Sequence, residues 1–230
     1  MARSSRISCL VPVYNGERYI AEALDSLLAQ TLLPREIIVV DDGSTDGTAE
    51  IVRGYGPPVF CLHQENAAAA RNRGLQEVQG DLVAYLDADD IAVPERIERQ
   101  MARFEIRPEL DASLAYVENF WDDDLRHEME GLDSDNPWRK PLPGTVTQAG
   151  LARRGVLTSI PFDPEIPICH DQDWYVRATE CGTVIEVLPE ILVKRRMHRN
   201  SLSHSGRDAV EQDMLLWVKK ALDRRRSVEP

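Results

Sequence analysis

An α/β fold with a mostly parallel central sheet and helices on both faces is predicted by three features of this 230-residue chain. Short apolar runs near 7–13, 36–41, 59–63 and 81–87 alternate with segments of helical periodicity near 17–30, 46–54, 66–78 and 94–106. Alternation of that kind is the pattern of a parallel sheet buried on both sides. Several of the runs stop abruptly at polar or acidic clusters, and open α/β sheets bind ligands beyond the carboxyl ends of their strands. With 43% hydrophobic residues the chain can also bury one sizeable core, so it reads as a single domain.

The first strand, Ile7-Ser8-Cys9-Leu10-Val11-Pro12-Val13, leads through Tyr14-Asn15-Gly16 into a helix with Ile20, Ala23, Leu24, Leu27 and Leu28 on one face. The second, Glu36-Ile37-Ile38-Val39-Val40, runs into Asp41-Asp42-Gly43-Ser44-Thr45-Asp46. Gly43 suits a tight turn, and Ser44, Thr45 or Asp46 can cap the next helix. Turn chemistry alone does not call for two adjacent acids at the mouth of a buried strand. The fourth apolar run, Val83-Ala84-Tyr85-Leu86, ends in Asp87-Ala88-Asp89-Asp90. On an extended segment residues two apart share a face, so Asp87 and Asp89 are expected to point one way and Asp90 another. Carboxylates that close raise one another's pKa unless a cation or donor groups compensate. Oxygen ligands at a strand end suit Mg²⁺ or Mn²⁺ held partly by a substrate phosphate. The plain alternative is a solvated acidic turn ahead of the helix that Pro94 opens, whose buried stripe is Ile97, Met101 and Phe104.

A further strand is expected around 113–117. From Glu118 to Pro143 the chain turns acidic, aromatic and proline-containing, with Trp121, Asp122-Asp123-Asp124 and Trp138. This predicts a long loop, functional or disordered, whose tryptophans either stack on a ligand or anchor the loop. A C-terminal helix over 208–226 carries Val210, Met214, Trp217, Val218, Ala221 and Leu222 at helical spacing and ends in Arg224-Arg225-Arg226. Its apolar stripe is expected to pack on the domain or on a second subunit, with an anionic membrane surface as the alternative.

A formal charge of -12 argues against a nucleic-acid partner. Cys9, Cys61, Cys169 and Cys181 have no paired metal spacing and read as reduced packing thiols. No apolar run reaches the roughly eighteen residues of a membrane span and no secretory leader is evident, so a cytoplasmic protein is expected.

Pro12-Val13-Tyr14-Asn15, Ser26-Leu27-Leu28-Ala29-Gln30-Thr31, Val40-Asp41-Asp42-Gly43-Ser44-Thr45-Asp46, Ala70-Arg71-Asn72-Arg73-Gly74 and Leu86-Asp87-Ala88-Asp89-Asp90 follow one another at spacings that together resemble the inverting family 2 glycosyltransferases of GT-A fold. The resemblance is close over 7–110 and looser to about 205, through Pro161-Phe162-Asp163-Pro164-Glu165, His170-Asp171-Gln172-Asp173-Trp174 and Arg196-Met197-His198. It implies one glycosyltransferase domain over 1–230, with a nucleotide-sugar half at 7–115, an acceptor and catalytic-base half at 116–205 and the C-terminal helix at 206–230. It also implies a metal-dependent, inverting transfer of a sugar from a nucleotide-diphosphate donor, UDP-linked first of all, to the hydroxyl of a glycan, lipid-linked or small-molecule acceptor. Mn²⁺ or Mg²⁺ would sit on Asp89, with Asp87 contacting the ribose or the metal shell. Asp42 would accept the ring N–H of uracil, as a carboxylate would from thymine or guanine, and Pro12 and Tyr14 would line the base pocket. For Tyr14, packing under the first helix is an equal possibility. His198 would ligate the metal or contact phosphate, with a satisfied structural histidine as the alternative, and Arg196 would neutralise charge.

Asp171 keeps the family's base position, with His170 where a glutamate is usual. Capping of its own helix is the competing role for Asp171, and Asp173 is the reserve base. Four alanines stand at 67–70 where the family usually has a glycine, so no phosphate contact is assigned to Arg71. A flap is conjectured over 201–205, including His204. Two other classes compete. A sugar-nucleotide nucleotidyltransferase would want a glycine-rich basic loop after the first strand, which Tyr14-Asn15-Gly16-Glu17 is not, and a non-catalytic sugar-nucleotide binder is conceivable from the altered His170-Asp171 pair.

Overall fold

The computed structural model describes residues 7–63, 67–127, 131, 133, 135–199, 201 and 207–228, with backbone alone at 67–69, 207–209 and 227–228. Strand β1 (Ile7–Val13) runs parallel between β2 (Glu36–Asp41) and β4 (Leu82–Tyr85), and β3 (Val59–His63) lies parallel beyond β2. Past β4 come β8 (Gly150–Arg153), β6 (Ala112–Trp121), β9 (Ile185–Met197) and β5 (Ile91–Ala92), with β7 (Leu142–Pro143) on β6. The long β6–β9 pairing is again parallel, and the antiparallel pairings through β8, β7 and β5 are short. The sheet is therefore mostly parallel, as the sequence predicts.

Alternate residues of β1 face opposite layers. Cys9 and Val11 meet α1 (Ile20–Leu28), α2 (Thr48–Tyr55) and α4 (Arg96–Ile106) through Leu24, Leu27, Val52, Ile97 and Met101. Leu10 faces α3 (Ala67–Glu77), α6 (Arg154–Ser159) and α7 (His170–Glu180), with Leu75, Leu157 and Trp174. A central strand buried on both sides has no polar alternation to show, which is why its sequence is a continuous apolar run. Gly74 lets α3 press on the sheet: a Cβ there would collide with Leu10 Cδ1 and lie 2.9 Å from Val40 Cγ2.

Three expectations change. β4 stops at Tyr85, and residues 87–90 form a turn closed by the Asp90 N–H donating to the Asp87 carbonyl at 3.1 Å. Strand alternation therefore does not orient Asp87 and Asp89. β6 extends to Trp121, because Glu118–Trp121 pair with Lys194–Met197, and 3₁₀ turns at Asp123–Leu125 and Pro137–Arg139 and strand β7 structure much of the expected loop. The C-terminal helix α8 (Arg207–Val228) buries its apolar stripe only in part: Val210, Trp217 and Ala221 are half-buried and Met214, Val218 and Leu222 are exposed, while Asp213 is buried. No helix among the described residues is long and apolar enough to cross a membrane. The four cysteines are free thiols. His204 and most of the conjectured flap lie outside the described residues.

Gly74→Val should lower the free energy of unfolding by about 1–3 kcal/mol through overpacking. Gly54, with open space around it in α2, should behave oppositely, Gly54→Ala stabilising by about 0.5–1 kcal/mol. Urea titration of both variants checks the pair of signs, and a neutral Gly74→Val would contradict the tight α3 contact.

Candidate functional site

The carboxyl ends of β1, β2 and β4 meet at one edge of the sheet. The first two turns are laced together by side chains. Asn15, at φ 50°, accepts the Thr45 N–H on Oδ1 at 2.8 Å, its own N–H donates to Ser44 Oγ at 2.9 Å, and the Gly16 N–H donates to Thr48 Oγ1 at 2.8 Å. Asp42 continues the β1–β2 pairing, its N–H donating to the Val13 carbonyl at 2.8 Å. Pro12 is half-buried beside it. Tyr14 is 62% exposed, so it does not pack under α1 and its ring is presented to solvent at this edge.

The acidic turn after β4 divides its labour. Asp90 is buried, accepting the Arg196 N–H at 2.9 Å and the Gln148 side-chain amide at 3.2 Å. Asp87 is pushed up to about 7, first by burial and then by the neighbouring Asp89, while Arg71 and Arg195 oppose the rise and Asp171 adds to it. Asp89 is partly exposed, with Oδ2 2.9 Å from His198 Nε2. That contact joins β4's end to the end of β9 across 109 positions. Tyr19 packs against the His198 ring at a tilt of 48° with centroids 4.6 Å apart and donates its hydroxyl to Asp122 at 2.6 Å. Arg196 does not face the edge as a free cation. It lies between Tyr19 and Phe120, 4.7 and 4.5 Å from their centroids, and donates to the Asp89 carbonyl at 3.0 Å and to Glu22 at 2.6 Å.

Beneath the turn Arg96 is fully buried, donating to the Tyr85 carbonyl at 2.5 Å and the Gly150 carbonyl at 3.2 Å. Burial pulls its pKa down to about 10, against the raising effect of charges that include Asp90 and Asp87.

Asp171 sits in the first turn of α7. It caps a different helix from its own. Oδ1 accepts the Thr147 N–H at 3.0 Å, at the start of α5 (Val146–Ala149), and Oδ2 accepts the Thr145 and Thr147 hydroxyls at 2.8 and 2.7 Å. Gly144 permits this approach, because a Cβ there would lie 2.8 Å from Val117 Cγ1 and 2.9 Å from the Ala115 carbonyl oxygen. His170 Nδ1 contacts the Pro167 carbonyl at 3.0 Å, an acceptor, so Nδ1 carries the proton. Burial lowers the His170 pKa and favours the neutral ring. Asp173 is wholly buried between Arg177 at 2.7 Å and Arg224 at 3.2 Å. It is an ion-pair anchor, out of reach of an acceptor, which removes it as the reserve base.

The later half joins α3 through Asn72, which donates to the Phe162 carbonyl at 2.8 Å and accepts the Phe162 N–H at 3.0 Å. Next to it, Arg71 Nε and the Tyr85 hydroxyl are buried without a hydrogen-bond partner among the described residues. Arg71, left without a role by the sequence, thus bears on both Asp87 and Tyr85. Trp138 is 45% exposed, its carbonyl held by Asn119 at 2.9 Å and its ring 5.8 Å from the Arg195 guanidinium. Trp121 is half-buried in β6, paired with Met197.

A family model described as glycosyl transferase family 2 matches residues 8–159. The chain belongs to that family. Its GT-A-like fold is shared by the TarS protein of S. aureus, solved as residues 1–349 in complex with UDP-GlcNAc. The TM-score is 0.70 at 24% identity, over 87% of this chain and 61% of that one. An uncharacterized glycosyltransferase of Rickettsia typhi is 29% identical over 93% of this chain and 71% of its own length. The uncharacterized glycosyltransferase YibD of Escherichia coli is 41% identical over 44% of this chain and 31% of its own. The chain is thus a family 2 glycosyltransferase and spans about three-fifths of the TarS fragment it resembles.

In this family member Asp90 is structural and Asp89 is accessible, so their removal should differ. Asp90→Ala leaves two buried donors unpaired and should cost about 1–3 kcal/mol for each. Asp89→Asn should stay within about 1 kcal/mol of the parent. Chemical denaturation of the two variants distinguishes the roles, and equal losses would contradict them.

Proposed function

We propose that this chain is a metal-dependent, inverting transferase that moves a sugar from a nucleotide-diphosphate donor, UDP-linked first of all, to an acceptor hydroxyl. The observation that carries the proposal is the convergence of Asp87, Asp89 and His198 with Asp171 at one sheet edge, close enough that Asp171 adds to the charge felt by Asp87. Family membership and the UDP and UDP-GlcNAc bound by TarS support it.

Asp42 takes the ring N–H of uracil at the mouth of β2, and Pro12 and Tyr14 bound the base pocket. Asp87 receives the ribose or the metal's water shell. Asp89 and His198 are the residues that hold Mn²⁺ or Mg²⁺. Among the described residues no cluster of three His, Cys, Asp or Glu side chains closes around an ion, which suits a cation whose remaining ligands are diphosphate oxygens and water. A bound ion of this kind supplies Lewis-acid stabilisation of the departing diphosphate, worth several kcal/mol. Arg71 and Arg195 flank Asp87 and add positive charge where phosphate oxygens gather.

Asp171 is the general base. A carboxylate has about four lone-pair sites, and the three donors on Asp171 leave one for the acceptor hydroxyl. Its proton passes to Asp171 as the hydroxyl oxygen attacks the anomeric carbon and the diphosphate leaves from the opposite face. The exposed Trp138 ring offers an apolar face to an acceptor glycan, a lipid-linked sugar or a small molecule. We place the reaction in the cytoplasm; contact of α8 with the inner face of the membrane or with a second subunit is supported by the exposed Met214, Leu215, Val218 and Leu222 beside Lys219 and Arg225.

Asp171→Asn keeps the size of the side chain but cannot take the proton, so turnover should fall by about 10² to 10⁴ with donor affinity unchanged. An α-linked donor should give a β-linked product. Product NMR at the anomeric proton and calorimetric titration with donor and Mn²⁺ test both, and a retained α-linkage, or binding with no transfer at all, would overturn the mechanism. Asp42→Ala should weaken UDP more than CDP, which lacks the ring N–H donor. Equal losses in a binding titration would mean that Asp42 does not read the base.

A further inference from the structure

Helix α8 is fastened to the rest of the chain by charge. Its inward face bears Asp213, Lys220 and Arg224 at helical spacing, and each reaches the segment that carries His170 and Asp171. Lys220 donates to Asp163 at 2.7 Å and to Glu165 at 2.5 Å. Arg224 pairs with the buried Asp173 at 3.2 Å and approaches Glu180 at 3.6 Å. Asp213 is the most buried residue of this face among those described. It has a different kind of partner: a single oxygen, Oδ2, accepts the backbone N–H groups of Ile168 at 2.9 Å and Cys169 at 2.5 Å. Burial and then Asp213 push the Cys169 thiol up to about 11, as expected beside a carboxylate.

Those amides lie immediately ahead of His170 and Asp171. The N-cap residue Cys169 makes no side-chain capping bond to the first turn of α7. The two amides that lead into the helix, those of Ile168 and Cys169, are held instead by an acid 44 positions beyond Cys169 in the chain. We propose that Asp213 is a positioning residue for transfer: it fixes the entry of α7, so that the Asp171 carboxylate meets Thr145, Thr147 and the acceptor hydroxyl in a productive orientation. Lys220 and Arg224 hold α8 in register for that contact. Asp213 touches neither donor nor acceptor and acts only through Asp171, so the inference rests on the role of Asp171 given above.

The test compares the full chain with Asp213→Ala, Asp213→Asn, Asp171→Asn and the double variant Asp213→Ala/Asp171→Asn. UDP release from UDP-N-acetylglucosamine with Mn²⁺ is followed well below the unfolding temperature of each. Asp213→Ala should lower kcat about tenfold or more while donor KM changes less than about twofold. In the Asp171→Asn background the same change should have no further effect, because residues acting as one unit are not additive. Asp213→Asn keeps the shape and an acceptor oxygen and is expected to fold even where the alanine variant does not. Its kcat should lie between the two, and its effect should likewise vanish without Asp171.

A kcat loss that persists in the Asp171→Asn background, a parallel rise in donor KM, or unchanged kcat in both Asp213 variants would overturn the proposal. Hydrogen exchange reads the clamp independently of turnover: amides at 168–173 should exchange at least about tenfold faster in Asp213→Ala than in the parent. Unchanged exchange there would refute the clamp even if the parent released no UDP, an outcome that would itself count against the transfer reaction.

Discussion

Asp90 forms the junction on which the candidate site depends. Its carboxylate, buried where the turn after β4 closes, accepts one hydrogen bond from the backbone of β9 and one from Gln148 of α5. Three segments separated by up to 106 positions are thereby held at one point. The turn that holds Asp90 also carries Asp87 and Asp89, so closing this junction sets where the other two acids stand and brings His198, two residues beyond Arg196, against Asp89. Burying an acid here is costly unless it is paired. Burial and the two neighbouring carboxylates raise the Asp90 pKa, and the Arg196 N–H opposes them.

The same economy of charge runs through the site. Burial and then Asp89 push Asp87 up to about 7 against Arg71 and Arg195, and a cation placed beside it would draw it down again. Arg96, buried below, supplies positive charge from within the core and ties α4 to β4 and β8 by donating to carbonyls at their ends. Asp171 is approached from the other side of the sheet edge, and its oxygens are engaged by the turn that Gly144 allows to pass close to β6. The groups proposed to serve donor and acceptor thus belong to separate stretches of chain, joined through Asn72 and Phe162, through Asp90 and Arg196, and through Asp89 and His198.

What was legible in the sequence was what local pattern encodes. The apolar run of β1 gives way to Tyr14-Asn15-Gly16 and that of β2 to Asp41-Asp42 where the strands end, and Asp171 falls in the first turn of its helix. The orientation of Asp87 and Asp89 was not legible, because the strand ends at Tyr85 and a turn takes over. Thr145 and Thr147 lie 24 to 26 positions from Asp171 and carry no motif of their own. Gly144 beside them was the one available signal. Asp173 looked like a second base because its burial is tertiary: Arg177 lies one turn on, but the other partner, Arg224 of α8, is remote in sequence. The apolar stripe of α8 suggested packing, yet that helix is seated largely by Asp213, Lys220 and Arg224 and leaves Met214, Val218 and Leu222 of the stripe outside, an outcome that periodicity cannot distinguish from burial.

The central claim, that Asp89 and His198 jointly receive the divalent ion that meets the donor diphosphate, is tested most directly by anomalous diffraction at the manganese edge from crystals grown with UDP and Mn²⁺. The expected result is one peak within coordination distance, about 2.1 Å, of both Asp89 Oδ2 and His198 Nε2, with diphosphate oxygens completing the shell and the direct contact between the two side chains replaced. UDP bound with no manganese peak there, and with the 2.9 Å contact between Asp89 and His198 intact, would contradict it.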